Sequence, residues 1–243
     1  MPLKKTTMKK YFLLFLIFFS LFGCSSLELE AVSSSEEETQ RILALGLSHE
    51  ENLVEAKKLG SDHMIAVVTL QLVNARDDKI QYQKDLIESE KISEAVIVSA
   101  DGLSFTGPEV LNTISDILNT SSVSQNYFLE GLKNSNDGVI NHKIHIAYSY
   151  SANKSRGYSS VNLCDEYGRC ETLMQAIDVS SVDFSNCSNT KCDYTEFFEL
   201  EITDKFLRKS LTTGIRMNLI SKNNTDKLDL SVAYLMGYLK IVK

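Results

Sequence analysis

From His142 to Tyr150 the chain alternates so regularly that one local geometry accounts for it. Ile144, Ile146, Tyr148 and Tyr150 fall at every second position, and a period of two belongs to a strand with one buried face. Comparable runs recur through the last hundred or so residues: Tyr158 to Leu163, Thr172 to Val179, Glu196 to Ile202, Ile215 to Ser221 and Leu228 to Leu239. Polar turns separate them at intervals of roughly 10 to 20 residues. That spacing argues for antiparallel strands in a sandwich or barrel, not for alternating β-α-β units.

The first half reads differently. Ser48-His49-Glu50-Glu51 carries a capping-box pattern with Ser48 as N-cap and Glu51 at the third helical position. A helix is expected from there, with Leu53, Ala56 and Leu59 on one side and Gly60 as its stop. A second is expected from Gly107-Pro108, with Val110, Leu111, Ile114, Ile117 and Leu118 on one apolar face. Ser124 to Leu132 reads as a shorter third. Between these, His63 to Asn74 is apolar on both faces and reads as a central strand, followed by Lys79 to Leu86 and Glu94 to Ser99. Turns are expected at Ala100-Asp101-Gly102 and at Asn134 to Gly138. The expected fold is α+β, mainly antiparallel β and sandwich-like, with two or three helices in the N-terminal half.

The N-terminus has another logic. Lys4, Lys5, Lys9 and Lys10 precede an apolar run, Tyr11 to Gly23, shorter than the roughly 20 residues that span a bilayer. Met8-Lys9-Lys10 is itself a normal signal opening, so Met8 competes with Met1 as the start. Leu21-Phe22-Gly23-Cys24-Ser25-Ser26 resembles the lipobox of a bacterial lipoprotein, although Phe22 stands where a smaller residue is usual. The resemblance covers about the first 26 residues. It implies a signal peptide over residues 1–23, cleavage before Cys24 and lipid on the Cys24 sulfur, with Ser25 favouring the outer membrane. Residues 24–39, which include Ser33-Ser34-Ser35-Glu36-Glu37-Glu38, then read as a flexible tether. Residues 40–243 read as one globular domain.

Cys164, Cys170, Cys187 and Cys192 form an even set in an exported chain, which argues for disulfides. Four cysteines allow three pairings; the local pairs Cys164–Cys170 and Cys187–Cys192 are preferred because each brackets a turn-like stretch. Zinc is the rival, but the spacings are loose for a zinc knuckle and no His lies nearby. No Cys-x-x-Cys redox motif occurs.

Motifs that would carry chemistry are weak. Two Ser-x-x-Lys matches, Ser151 to Lys154 and Ser188 to Lys191, lie in turn-like stretches, and no Lys-Thr-Gly or Gly-x-Ser-x-Gly accompanies them. His142 and His145 are three apart on a strand, so they should face opposite ways. His49 sits in a helix cap and His63 stands alone. Glycine-rich phosphate loops are missing. Tyr148, Tyr150 and Tyr158 read chiefly as half-buried strand residues. The net charge of −7 becomes more negative once the four lysines leave with the signal segment, which disfavours nucleic acid as a partner. The expectation is a lipid-anchored envelope protein, held at the membrane through Cys24, that recognises another envelope protein without catalysis, metal or cofactor. The alternative is an envelope hydrolase whose site is assembled from residues distant in sequence.

Overall fold

The computed structural model describes residues 25–115, 122–164, 169–170, 173–177, 179–188 and 190–243. It is α+β and antiparallel, with most helices in the first half. The chain forms two compact units, one up to Tyr82 and the other Gln83–Lys243.

The first unit is helical. Helix α1 is Ser25–Leu43, α2 is His49–Ala56, and α3, Asp62–Ala95, starts here. Residues 25–39, read as a tether, thus lie within a helix. The expected capping box on α2 is complete: the Ser48 N–H donates to Glu51 at 2.9 Å and the Glu51 N–H donates to Ser48 Oγ. The helix stops at Lys57, before Gly60. A small core gathers Ile42, Ala56, Val68 and Leu72, with Leu53, Leu59 and Met64 packed on it.

Helix α3 replaces the strands expected over 63–74 and 79–86. No Gly or Pro interrupts its 34 residues, and within the doubly apolar run Met64, Val68 and Leu72 recur at the helical spacing of four, which buries them together. Ser61 starts it, accepting from the Met64 N–H at 3.1 Å.

The second unit is a sandwich. The strands are β1 Ile97–Val98, β2 Ser104–Thr106, β3 Val110–Ser115, β4 Ser122–Lys133, β5 Ile140–Ala152, β6 Ser160–Leu163, β7 Leu173–Ala176, β8 Val179–Ser185, β9 Cys192–Thr203, β10 Ile215–Ile220 and β11 Thr225–Leu230. One sheet runs β1-β2-β4-β5-β9-β8, with β3 also paired to β4; the other runs β11-β10-β6-β7. Two helical pieces, α4 Asp204–Lys209 and a 3-10 turn Ser210–Thr212, lead from β9 to β10. The two sheets share one core, in which Ile144, Ile146, Tyr148, Phe198 and Leu200 of the large sheet join Val161, Leu163, Met217, Leu219 and Leu228 of the small one.

Both helices expected between Gly107 and Leu132 are strands instead: Val110–Ser115 and the middle of β4. Val110, Thr113 and Ile114 are β-branched and lose rotamer freedom in a helix, and β4 supplies a full ladder, from Val110 opposite Tyr127 to Ser115 opposite Ser122. Ile117 and Leu118 lie outside the described residues. The run Leu228 to Leu239 is also not one strand. It breaks at Ser231, whose Oγ accepts from the Tyr234 N–H at 3.1 Å and so caps helix α5, Val232–Ile241. The turn at Asn134 to Gly138 is the expected break, closed by the Asn134 N–H donating to Val139 O.

Helix α5 is apolar nearly all round, and Tyr234, Leu235, Tyr238 and Leu239 are buried. Burying each leucine contributes on the order of 1.5–3 kcal/mol. It packs on the end of α3 through Gly237, where a Cβ would lie 2.5 Å from Ser89 O and 2.7 Å from Ile92. On the sheet it closes a gap. The chain leaves β2 at Thr106 and re-forms as β3 at Val110, and across this interruption the Tyr234 hydroxyl accepts from the Leu129 N–H at 3.0 Å and donates to Pro108 O at 2.9 Å. Gly107 makes room, since a Cβ there would stand 2.6 Å from that hydroxyl. Tyr234→Phe removes the partner of both backbone groups, and a buried unpaired group costs about 1–3 kcal/mol. Urea denaturation should show a loss of that size with an unchanged slope.

Candidate functional site

Alternation sends one side of β4, β5 and β9 into the core and leaves the other open. Two cross-strand rows form on the open face. Asn126, Ala147 and Phe197 are register partners in sequence, and so are Phe128, His145 and Glu199. Ala147 is small, so the first row dips between an amide and a phenyl ring. The result is a groove of about 360 Å³ whose walls include Glu109, Asn126, Phe128, His145, Phe197 and Glu199. Glu109 reaches it from the Gly107–Pro108 interruption, and its carboxylate accepts from Asn126 Nδ2.

His145 is fixed from three sides. Phe128 stacks on it with ring centroids 4.5 Å apart and planes 8° from parallel. Its Nε2 lies 3.0 Å from Glu130 and its Nδ1 3.3 Å from Glu199. Lys143 Nζ donates to the other Glu199 oxygen at 2.8 Å. That bond holds the Glu199 carboxyl below its ordinary range and lifts the lysine above its own. The face thus offers two aromatic rings beside carboxylates, with its cationic groups already engaged.

His142 faces the other way, as its spacing from His145 requires. It is buried, with Nδ1 3.1 Å from the Tyr238 hydroxyl and Nε2 3.3 Å from Asp204. Burial pushes its pKa down, against the partial opposition of Asp204. Burial alone would raise Asp204, but the Arg208 guanidinium, donating at 2.8 Å, and His142 together outweigh it and hold the carboxyl low. Neutral His142 donates one N–H to Asp204 and accepts the Tyr238 O–H, tying β5 to α4 and α5.

A third polar cluster is a loop fastening. The buried Glu196 carboxylate accepts from the backbone N–H groups of Arg156, Gly157 and Tyr158 at 2.8, 2.9 and 3.1 Å, and from the Tyr150 hydroxyl. The Arg156 guanidinium lies 4.2 Å from the Tyr150 ring centroid and donates to Asp226 at 2.8 Å. These contacts satisfy every charge locally, so the cluster holds the β5–β6 connection in place.

The residues singled out from sequence scatter. Cys24 lies outside the described residues. Cys164 is bonded to Cys170 and Cys187 to Cys192, the two local pairs. Ser151 donates to Asp193 across the β5–β9 ladder, and Ser188 exchanges hydrogen bonds with the Lys191 backbone in a turn, so these bonds tie each serine to a group other than the lysine ammonium of its motif. Tyr148, Tyr150 and Tyr158 are fully buried. Among the described residues no group of three or more His, Cys, Asp or Glu could hold a metal, and no helix is long and apolar enough to cross a membrane. The groove residues Glu109, Asn126, Phe128 and Phe197 escaped the sequence reading. Their one signal was a partial alternation, Val123 and Tyr127 beside Ser124 and Asn126, which Gln125 and Phe128 interrupt. Comparison of the chain with protein-family models, curated proteins and solved structures finds no match.

Folding excludes a proton from His142 that the unfolded chain binds near pH 6.5. Its contribution to stability is therefore complete above about pH 6.5 and is lost as pH falls below it, with a slope of at most about 1.4 kcal/mol per pH unit. Urea titrations at pH 7.5, 6.5 and 5.5 should show this slope in the wild type and its absence in His142→Gln.

Proposed function

We propose that this chain is a lipid-anchored envelope protein and a non-enzymatic module that recognises another envelope protein. Cys24 carries the lipid, Ser25 directs it to the outer membrane, and the open face of the large sheet makes the recognition contact. The anchoring half of this reading rests on the residues Lys9 to Ser26. The recognition half rests on one observation: the open face carries a groove with phenyl rings and carboxylates in register. Aromatic rings are enriched in protein interfaces relative to the rest of the surface, and Phe128 and Phe197 line this groove. The disulfides support an oxidising compartment.

Two experiments test the two halves. Cells fed an alkyne-tagged fatty acid should label the full chain, and Cys24→Ala should abolish the label; an unchanged label removes the anchor. A photoreactive residue at position 147, in the groove, should yield one discrete adduct in cells. The same residue at position 223, in the exposed β10–β11 turn, should not. No adduct at 147, or the same adducts at both positions, overturns recognition through this face.

A further inference from the structure

We infer that the groove on the open sheet face binds a guanidinium cation, presented as an arginine side chain of the partner polypeptide. The partner belongs to the reading above; the ligand chemistry rests on the groove itself.

The Glu109 carboxylate can only accept, so the Asn126 amide must turn its NH2 toward it. That orientation leaves Asn126 Oδ1 as the other end of the amide, and this oxygen is buried with no hydrogen-bond partner. An acceptor in that state regains stability when a donor arrives. Glu109, bonded to the NH2 end of the same amide, is exposed.

The remaining polar groups favour the same sign of charge. Glu109 stands on the wall as a carboxylate bonded to the neutral Asn126 amide, while Glu199 takes up Lys143 and one His145 nitrogen and Glu130 takes up the other. Ser180 spends its hydroxyl on Phe197 O at 2.9 Å. An anion meets repulsion here, and a cation meets acceptors.

The aromatic walls select among cations. Phe128 and Phe197 line the groove, and a cation placed against such rings gains from their quadrupoles. A guanidinium is planar, weakly hydrated and carries five donors in a fixed fork, so it can lie against a ring while reaching two separate acceptors. An ammonium is a compact, strongly hydrated point charge and matches the rings less well.

The test uses the full chain in mild detergent and saturation-transfer NMR of N-acetyl-arginine amide. N-acetyl-lysine amide and N-acetyl-citrulline amide serve as the amine and neutral controls. Expected are saturable arginine binding, at least fivefold weaker lysine binding, no citrulline binding, and a tenfold or greater loss of affinity in Glu109→Gln. Circular dichroism confirms that this exposed substitution leaves the fold intact. Absent arginine binding, equal binding of lysine or citrulline, or an unchanged affinity in Glu109→Gln overturns the assignment. The position-147 adduct separates the two readings. Adduct formation without arginine binding sinks the guanidinium site and leaves partner recognition standing. Arginine binding that Glu109→Gln abolishes, without an adduct, upholds the site and sinks partner recognition.

Discussion

The large sheet depends on a hydroxyl that belongs to none of its strands. β4 needs a neighbour along its whole length, yet two short strands share that edge and the chain between them leaves the ladder at Pro108, after the Gly107 N–H has donated to Leu129 O. Proline has no N–H to offer a ladder. Tyr234, from helix α5, supplies one donor and one acceptor at that spot. Burial raises its pKa far above the usual phenol range, so the proton that it donates to Pro108 O stays in place. The same helix holds His142 through Tyr238 and meets α3 at Gly237. One short stretch of apolar helix therefore completes the sheet edge, bonds β5 through His142 and packs against Ser89 and Ile92.

The groove is a by-product of that arrangement on the opposite surface. Closing the interruption at Pro108 fixes the backbone that carries Glu109, and register delivers Asn126, Ala147 and Phe197 in one line. The two histidines show how sharply the sheet separates chemistries only three residues apart. His142 is enclosed among Tyr238, Asp204 and neighbouring core residues, while His145 is held between carboxylates at the surface.

The strand β5 was readable because its core positions are apolar and those between are polar or small. β4 was not. Tyr127 and Phe128 are both large, as are Leu129 and Glu130, so neither face stands out and the period is blurred. Helix α3 failed for a related reason: residues 64–73 are apolar on every side, and such a run fits a buried strand as well as a helix. The better guide was the absence of Gly and Pro from Asp62 to Ala95. The strand β8 was hidden among serines, and its place in the large sheet rather than beside β7 is a matter of topology that no local pattern records. The groove was illegible because its walls come from positions 109 to 199 and meet only through pairing. The disulfide partners, by contrast, are local, and spacing favoured that pairing among the three that four cysteines allow.

The seam at Pro108 also has a temporal side. The bonds that complete it join residues 105 and 126 positions apart. A chain emerging in order presents β2, β3 and β4 long before α5 exists to join them. Until then that edge is unfinished, and unfinished edges attract foreign strands. Contacts so distant in sequence also form slowly. The β3–β4 edge therefore waits on the last helix of the chain for its closure, and it is the place where a premature partner would do most harm.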